Sequence, residues 1–388
     1  MIVGIVREAN HQERRVALVP AVVPALVKAR LEVLVEKGAG EAAGYPDSGF
    51  EQQGAKLARD RTEVFSSADV LVTLGSLGGQ ADSLRSGQIL LGLLNPFHAS
   101  APVGEWARAG VTAFALEFLP RITRAQSMDA LTSMATISGY KAALLAANAL
   151  QKMYPMMITA AGTITPAKVL IIGAGVAGLQ AIATSRRLGA VVHAYDVRPA
   201  VKEQVESLGA KFLELGLETK EAEAAGGYAR EMGADFYRRQ QEMMAKAVGE
   251  SDVVITTAAV PGKRAPVLVT EEAVRRMHPG SVIVDLAAET GGNCALTRAG
   301  ETVDVGGVSV IGPVNLPATV PFHASLMYAK NAAAFLQNLV AKGELRLNLD
   351  DPILRDTLLT HQGEIVNPRV RETLGLPVAT GAPTQGGS

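Results

Sequence analysis

The chain has 388 residues, enough for two or three domains, and its 48% hydrophobic and 19% charged residues are typical of a soluble α/β protein. A formal net charge of −1 without a basic block argues against nucleic acid as a partner. The single cysteine, Cys294, excludes an internal disulfide framework, and the six histidines show no metal-ligand spacing. We expect no signal peptide and, without an uninterrupted apolar run of about 18 residues, no membrane span.

Short apolar runs alternate with segments of helical periodicity through the first 120 residues. We predict a helix at 20–29, begun by proline, and strands at 2–6, 31–36, 70–74, 89–94 and 111–117. This alternation indicates a mostly parallel sheet covered on both faces by helices. Between the first strand and helix, Arg14 and Arg15 either bind an anion or lie on a solvated charged loop, which is the commoner case.

A densely polar segment, PRITRAQSMDALT at residues 120–132, follows the fifth strand and leads into an alanine-rich helix predicted at 138–153. A polar loop between two domains is where a cleft would be lined. Composition alone favours a different interpretation, an interdomain linker in which Asp129 only caps a helix or is solvated.

The strongest motif lies within residues 168–198, where an apolar strand at 169–172 leads into GAGVAG (173–178) and then a helix at 179–188. Strand, tight turn and helix form the context in which this glycine spacing indicates a dinucleotide site. Gly173 can adopt a positive φ, Gly175 lets the backbone approach a pyrophosphate, and Gly178 lets helix and strand pack closely. The N-terminus of the helix would face the phosphates.

A second strand at 191–195 ends in Asp196, 18 residues after the last glycine of the motif. Its carboxylate is placed to accept hydrogen bonds from the adenosine ribose hydroxyls, which predicts NAD rather than NADP. A 2′-phosphate of about −1.5 to −2 charge near this carboxylate would be repelled by several kcal/mol at an effective dielectric of ~20. Arg198 leaves the alternative open, since a nearby arginine can accommodate that phosphate.

Further strands are predicted at 210–213, 252–256, 281–286 and 308–311, with a long polar excursion at 215–235. After the strand predicted at 252–256, Ala258 and Ala259 either let a cofactor lie flat or pack in the core. Helical periodicity returns at 321–339, and we expect the polar region after it to pack back on the first domain. The low-complexity tail at 381–388 is predicted to be disordered.

Several segments together carry a family resemblance: EANHQERRVAL, PRITRAQSMDALT, GYKAALLAA, IIGAGVAGLQAIATSRRLGAVVHAYDVR, AGGYAREMG and VPGK. The chain resembles the NAD(H)-binding alpha subunit, or domain I, of proton-translocating NAD(P) transhydrogenases, which are related to alanine dehydrogenase. The resemblance implies two Rossmann-like doubly wound α/β domains with mostly parallel sheets, a cleft between them and long joining helices. The first would comprise residues 1–135, completed by C-terminal helices within about 318–388, and the NAD(H)-binding domain would comprise 136–317.

The resemblance also implies site residues and replaces the linker interpretation of 120–132. Gln126 would hold the nicotinamide and its ribose, Asp129 would accept from ribose hydroxyls, and both would act with Arg121 as the catalytic group. Tyr228 would lie at the tip of a mobile loop that closes over the nucleotide. The implied NAD(H)-binding residues are Arg121, Gln126, Ser127, Met128, Asp129, Thr132, Gly173, Gly175, Val176, Ala177, Gly178, Asp196, Val197, Arg198, Gly227, Tyr228, Ala258 and Ala259.

The implied reaction is direct hydride transfer between NADH and NADP⁺ bound on a partner subunit, coupled to proton translocation. Hydride transfer between two nicotinamides needs no protein acid or base, so catalysis would be mostly positioning. The implied partners are a second copy of the chain, in a homodimer, a membrane-spanning proton-channel subunit and an NADP(H)-binding subunit. The chain would then lie on the cytoplasmic face of the membrane, held through these partners.

Two other functions remain as alternatives. An alanine-type NAD-dependent dehydrogenase has a lysine and a histidine at the ends of the third and fourth strands, where this chain has Gly75 and Asn95, and neither can transfer a proton. Arg15 matches the arginine that binds the substrate carboxylate, and His98 is the one residue that could supply the missing base. A non-catalytic NAD(H) sensor is the second alternative, although it would not need the polar groups at the nicotinamide end.

Overall fold

The computed structural model describes residues 1–75, 77, 83–97, 100–214, 234–259 and 263–377. The chain divides into two compact units, Met1–Met134 with Ala318–Ser388 and, between them in sequence, Ala135–Pro317. Some of the sequence predictions lie outside the described residues: Gly227 and Tyr228 in the polar excursion, residues 260–262 of the VPGK segment, His98, and the tail.

The strands are short and mostly buried. In chain order they are β1 (Ile2–Ile5), β2 (Glu32–Glu36), β3 (Lys56–Ala58), β4 (Val70–Thr73), β5 (Ile89–Gly92), β6 (Thr112–Ala115), β7 (Met157–Thr159), β8 (Gly162–Ile164), β9 (Lys168–Ile172), β10 (Val191–Tyr195), β11 (Lys211–Phe212), β12 (Val253–Thr256), β13 (Val282–Asp285), β14 (Thr302–Val305), β15 (Val308–Ile311), β16 (Val340–Ala341), β17 (Glu344–Leu345), β18 (Leu358–His361) and β19 (Glu364–Ile365).

Two long α-helices, α5 and α10, stand out among shorter ones. The α-helices are α1 (Val23–Lys28), α2 (Asp47–Gln52), α3 (Arg61–Ser67), α4 (Ser100–Arg108), α5 (Ala130–Ala149), α6 (Val176–Arg187), α7 (Lys202–Ser207), α8 (Ala234–Gly249), α9 (Glu271–Arg275), α10 (Pro321–Leu339), α11 (Pro352–Thr357) and α12 (Pro368–Thr373). Short 3₁₀ helices occupy Pro20–Val22, Glu41–Ala43, Leu116–Phe118, Thr123–Met128, Pro199–Val201, Ala288–Thr290 and Leu316–Thr319.

The first unit is built on an eight-stranded sheet with the order β19-β18-β6-β5-β4-β1-β2-β3. Strands β1 to β6 are parallel to one another, and every residue of β4, β5 and β6 is buried, as a sheet covered on both faces requires. The strand order reverses between β1 and β4. In a doubly wound sheet, ligands bind at the carboxyl ends of the strands that flank such a reversal.

The second unit has a seven-stranded sheet with the order β11-β10-β9-β12-β13-β15-β14. All neighbouring pairs are parallel except β14 with β15, which are antiparallel. The order reverses between β9 and β12, so the carboxyl end of β9 lies at the switch point of this sheet. Together the two sheets confirm the predicted α/β class with mostly parallel, Rossmann-like sheets.

The central strand β9 shows how one segment supports two apolar cores. Val169 and Ile171 belong to the cluster on one face of the sheet, whereas Leu170 and Ile172 belong to the cluster on the other face. Side chains alternate between faces along a strand, so a continuous apolar run is needed where both faces are covered. The apolar sequence of β9 therefore fixes it as a central strand.

Some predicted elements were wrong in their bounds or their type. The long helix α5 begins at Ala130 rather than at 138, and the polar segment before it contains the 3₁₀ helix Thr123–Met128. The C-terminal region adds not only helices but also β18 and β19, since β18 pairs with β6 in antiparallel orientation. Strand β14 and the exposed hairpin formed by β7 and β8 were not predicted from the sequence.

Candidate functional site

The glycine motif of the second unit forms the turn between β9 and α6. Gly173 has φ +99, and a Cβ atom there would lie 2.7 Å from the hydroxyl oxygen of Thr257. A Cβ at Gly178 would lie 1.9 Å from the carbonyl oxygen of Gly173. These two glycines are therefore required by the fold itself, because any side chain would collide with neighbouring atoms.

Gly175 differs from its two neighbours in the motif. Its φ is −75, and a Cβ atom built there would meet nothing within 4 Å. Gly175 is also the N-cap of α6, and no side chain caps the helix. Val176 is exposed and Ala177 is half-buried in the first turn that follows. The uncapped helix N-terminus and the open space above it fit the phosphate groups of a dinucleotide.

Asp196 follows β10 and is almost fully buried, at 8% exposed. The backbone N–H and Nε of Arg198 each donate to Oδ1 at 2.9 Å, and Nη2 of Arg198 donates to Oδ2 at 2.8 Å. The backbone N–H of Ala174, within the glycine turn, donates to Oδ2 at 2.7 Å. A carboxylate has about four acceptor positions. The neighbouring groups occupy them all, while Val197 is half-buried beside the pair.

The segment after β12 lies against the same turn. The hydroxyl of Thr257 donates to the carbonyl oxygen of Gly173 at 3.0 Å. Ala258 is half-buried, Ala259 is exposed, and the backbone N–H of Ala258 donates to the side chain of Asn293 at 3.0 Å. The second unit thus brings together three of the sequence-predicted segments: the glycine turn, Asp196–Arg198 and Ala258–Ala259.

The other predicted contacts lie on one polar segment of the first unit. Its 3₁₀ helix buries Ala125 and Met128, whereas Arg121, Gln126 and Ser127 are exposed. The Met128 side chain is itself buried, at 6% exposed. The exposed polar side chains are those predicted to contact the nicotinamide end.

Asp129 is the cap of helix α5. The backbone N–H of Thr132 donates to Oδ1 of Asp129 at 2.8 Å, and the Thr132 hydroxyl donates to Oδ2 at 2.6 Å. The carboxylate thereby satisfies one of the N–H groups that a helix leaves unpaired in its first turn. The capping role considered in the sequence analysis is therefore present. Two of the roughly four acceptor positions on the carboxylate remain beyond these two bonds.

Hydrogen bonds of Asn331 and Arg124 hold the polar segment to the C-terminal part of the first unit. Nδ2 of Asn331, on α10, donates to the carbonyl oxygen of Ser127 at 2.9 Å. Arg124 donates from Nη1 to Oδ2 of Asp351 at 3.0 Å, and Asp351 also caps α11. These anchors were not predicted from the sequence, because the residues they join are more than 200 positions apart in the chain.

Comparisons with known proteins match nearly the whole chain. The alanine dehydrogenase/PNT N-terminal domain family matches residues 4–138, and the alanine dehydrogenase/PNT C-terminal domain family matches residues 142–368. The chain belongs to the alanine dehydrogenase/PNT family. An NAD(P) transhydrogenase subunit alpha protein of Rhodospirillum rubrum is 45% identical over 377 residues, which cover 95% of this chain and 98% of that protein.

A solved structure of transhydrogenase from Sinorhizobium meliloti has a TM-score of 0.85 at 42% identity, covering 94% of this chain and all of that chain. Alanine dehydrogenase of Bacillus subtilis (strain 168) is 30% identical, covering 97% of this chain and 95% of that protein. The higher identities place the chain with the NAD(P) transhydrogenase alpha subunits of the family.

Relatives of this chain include both NAD(P) transhydrogenase subunits and alanine dehydrogenases. The residues at the strand ends of the first unit help to distinguish these two kinds of protein. Arg15 is 8% exposed and forms a two-point ion pair with Glu13, with Nε–Oε1 at 2.7 Å and Nη2–Oε2 at 2.6 Å. Its Nη1 contacts the sulfur of Met134 at 3.0 Å. The guanidinium that would bind a substrate carboxylate in an alanine dehydrogenase already has a carboxylate partner within this chain.

The ends of β4 and β5 in this family member carry no lysine or histidine among the described residues. Gly75 donates its backbone N–H to the Thr73 hydroxyl at 3.0 Å, and Asn95 has φ +49. Two carboxyl groups lie beside these strand ends but outside the strands, since Glu8 accepts the backbone N–H of Leu74 and Glu117 accepts that of Asn95. Burial raises the pKa of Glu8, next to β4, to about 7, and raises the pKa of Glu117, after β6, to about 7.

Two negative findings apply to the part of the chain that the structure describes. None of its helices combines the length and the apolar character that crossing a bilayer requires. No group of three or more His, Cys, Asp or Glu side chains in the described ranges is arranged to hold a metal ion.

Proposed function

We propose that the chain binds NAD(H) and transfers hydride directly between NADH and NADP⁺ held on a partner subunit of a proton-translocating transhydrogenase. The observation that carries the proposal is the glycine turn at the switch point of the second sheet. There the fold requires Gly173 and Gly178, while open space and an uncapped helix N-terminus lie at Gly175. This combination fits a pyrophosphate bound by backbone N–H groups. The transhydrogenase relatives support the reaction.

The proposed preference for NAD(H) over NADP(H) is supported by the Asp196–Arg198 pair. Because Asp196 neutralises the Arg198 guanidinium, that arginine is a poor partner for a 2′-phosphate. A ribose hydroxyl, in contrast, can replace one of the donors around the Asp196 carboxylate without a change in charge. Adding a phosphate would bring like charges together within a buried site.

The nicotinamide end is proposed to contact the polar segment of the first unit. Gln126 would hold the nicotinamide and its ribose, and Asp129 would use its remaining acceptor positions for ribose hydroxyls while it caps α5. Arg121 would complete this catalytic group. These three residues would act by positioning the nicotinamide. A near-attack arrangement brings the reacting carbons of the two nicotinamides to about 3–3.5 Å and excludes water.

The alternative of an alanine-type dehydrogenase is less well supported. It requires a carboxylate-binding cation and groups that exchange protons with the amine. Arg15 is paired with Glu13, and Gly75 and Asn95 offer no side chain that titrates. At the two positions that match the lysine and the histidine of the dehydrogenase, this chain therefore has no side chain that can exchange a proton.

The relatives named subunit alpha support the proposal of partner subunits, an NADP(H)-binding subunit and a membrane-spanning proton-channel subunit. We also propose a homodimer that lies on the cytoplasmic face of the membrane through these partners. The hairpin of β7 and β8 supports the dimer, because all its residues are exposed and many of them are apolar. Exposed apolar patches commonly mark protein–protein contacts.

The decisive experiment measures hydride exchange from NADPH to an NAD⁺ analogue by the purified chain, with and without a transhydrogenase NADP(H)-binding domain. We expect turnover only with the added domain, reduced about 100-fold by Gln126→Ala because the nicotinamide is misplaced. The matched control is Gln52→Ala, an exposed glutamine on α2, which should leave turnover unchanged. Oxidation of L-alanine by the chain alone with NAD⁺ would refute the proposal and favour the dehydrogenase.

A further inference from the structure

Asn293 is a fully buried amide in the second unit, and every polar atom of its side chain is used. Its Oδ1 accepts the backbone N–H of Ala258 at 3.0 Å. Its Nδ2 donates to the carbonyl oxygens of Ala258 and Pro266, both at 2.8 Å. One side chain thus binds both backbone groups of Ala258, the pattern that a neighbouring strand would otherwise provide.

The position of Ala258 explains why a side chain, and not a neighbouring strand, binds its backbone groups. The regular pairing of β12 with β13 ends at Thr256 opposite Asp285, so Ala258 lies beyond the ladder. A buried backbone N–H or carbonyl without a partner destabilises the fold, because it has lost its hydrogen bonds to water. The Asn293 amide fills this gap and so fixes the conformation of the segment that carries Ala258 and Ala259.

Asp285 in turn holds Asn293. This carboxylate is completely buried and accepts five hydrogen bonds: from the hydroxyls of Thr256 and Thr297, and from the backbone N–H groups of Ala287, Asn293 and Cys294. The bond from Asn293 is 2.7 Å long. A carboxylate with this many donors is a rigid centre, because moving any of its partners leaves a buried charge less satisfied.

One more hydrogen bond, made by Thr257, joins these residues to the glycine turn. Thr257, next to Ala258, donates its hydroxyl to the carbonyl oxygen of Gly173. A continuous series of contacts therefore joins Asp285, Asn293, the Ala258 backbone and the glycine turn. Neither Asp285 nor Asn293 needs to touch a ligand in order to set the shape of the site.

We propose that Asn293 is a positioning residue for NAD(H): it holds the Ala258 backbone at the height and angle at which the nucleotide contacts this segment. The inference rests on the proposed NAD(H)-binding function and extends it to a residue that is itself buried away from solvent. Asp285 supports it from behind by fixing the Asn293 backbone.

The test compares Asn293→Ala with Asn367→Ala in the full chain. Asn367 is a matched control because it is a buried asparagine of the first unit whose Nδ2 also donates to two backbone carbonyls, those of Asp356 and Leu358. Both variants should lower the melting temperature. Only Asn293→Ala should weaken NADH binding, by about tenfold, because the nucleotide would then have to order the released Ala258 segment when it binds.

Two further readouts separate positioning from a general loss of structure. Amide hydrogen exchange of Ala258 should accelerate in Asn293→Ala, because its N–H loses its acceptor. In hydride exchange with the NADP(H)-binding domain, KM for NADH should rise about tenfold while kcat at saturation stays within about twofold, since ground-state and transition-state binding are affected alike.

The outcomes are distinguishable. Equal NADH affinity for wild type and a folded Asn293→Ala variant would refute the positioning role while leaving NAD(H) binding intact. Equal weakening in both variants would also refute it, because the effect would then follow stability alone. Failure of the wild-type chain to bind NADH would overturn the proposed function, and this inference with it.

Discussion

At the scale of single residues, the three glycines of one motif have different physical causes. A Cβ at Gly173 or Gly178 would lie within 3 Å of protein atoms, so close packing in the fold explains why both residues are glycine. At Gly175 the protein itself leaves room for a side chain and has an ordinary φ. The motif was predicted from the sequence, but only the structure separates glycines needed for folding from one that leaves room for a ligand.

This difference predicts that Gly175→Ala weakens NADH binding without lowering the stability of the chain. The melting temperature should stay within about 2 °C of wild type, because the new methyl group meets no neighbour. NADH affinity, measured by fluorescence titration, should fall about tenfold or more, because the methyl group occupies the space of the pyrophosphate.

The matched control is Gly104→Ala on α4, where an added Cβ also meets nothing within 4 Å but no ligand is proposed. It should leave NADH affinity unchanged and, because alanine favours a helix more than glycine does, should not lower the melting temperature. Gly178→Ala should instead destabilise the chain, because its Cβ would overlap the Gly173 carbonyl oxygen. An unchanged NADH affinity in Gly175→Ala would contradict the proposed position of the pyrophosphate.

Glu117 links the stability of the first unit to pH. One carboxyl oxygen accepts the backbone N–H of Asn95, and the other is buried without a hydrogen-bond partner among the described residues. Burial raises the pKa of this carboxyl to about 7 from 4.5. The folded chain therefore holds this proton more tightly than the unfolded chain, and stability should fall as pH rises from about 4.5 to 7.

Glu117→Gln should remove the loss of stability that comes from ionising this buried carboxyl group. At pH 8 we expect the variant to be more stable than wild type by on the order of 1 kcal/mol, with a smaller fall in stability between pH 5 and 8. Urea unfolding followed by the fluorescence of Trp106 measures this, since Trp106 is the sole tryptophan and is buried in the first unit. Exposed Glu51→Gln is the control, and a wild-type slope in Glu117→Gln would contradict the assignment.

At the scale of elements, segments with a strong apolar or helical pattern were predictable from the sequence. Segments whose structure depends on a helix cap or on pairing with a distant strand were not. The bounds predicted for β10, β15 and α10 agree with the structure, because each has a continuous apolar or helical pattern. Helix α5 begins at Ala130, earlier than predicted, because Asp129 caps it, with Thr132 as the partner of both carboxylate oxygens. A cap of this kind is worth about 1 kcal/mol, enough to extend a helix into a polar sequence.

The missed strands and anchors depend on distant residues. Strand β18 exists because its backbone pairs with β6, far earlier in the chain, and Thr360 donates its hydroxyl to the carbonyl oxygen of Val111. Asn293 similarly acquires its role only when Ala258 and Pro266 lie beside it. The one local signal for Asn293 was the Gly291–Gly292 pair before it, both with positive φ in the structure.

At the scale of the whole molecule, the exposed hairpin predicts how copies of the chain associate. Ile158 is 79% exposed and Met156 is 60% exposed, unusual values for apolar side chains that remain in water. If this surface joins two copies, Ile158→Lys should convert the dimer to monomers by placing a charge in an apolar contact. Sedimentation velocity measures the change.

The control for the dimer is Val27→Lys, which places the same charge at an exposed apolar position of α1 in the first unit. That variant should sediment as wild type. A dimeric Ile158→Lys variant with a wild-type association constant would show that the hairpin is not the contact.

The return of the chain to its first unit has a consequence for synthesis. Strand β6 ends at Ala115, yet its antiparallel neighbour β18 begins only at Leu358. At about 5–20 residues per second, a ribosome needs on the order of 10 to 50 s to make the intervening residues. Throughout that time the nascent first unit presents an unpaired strand edge, whereas the second unit is already continuous and can fold as it emerges. The half of the protein that begins first on the ribosome is thus the half that finishes last.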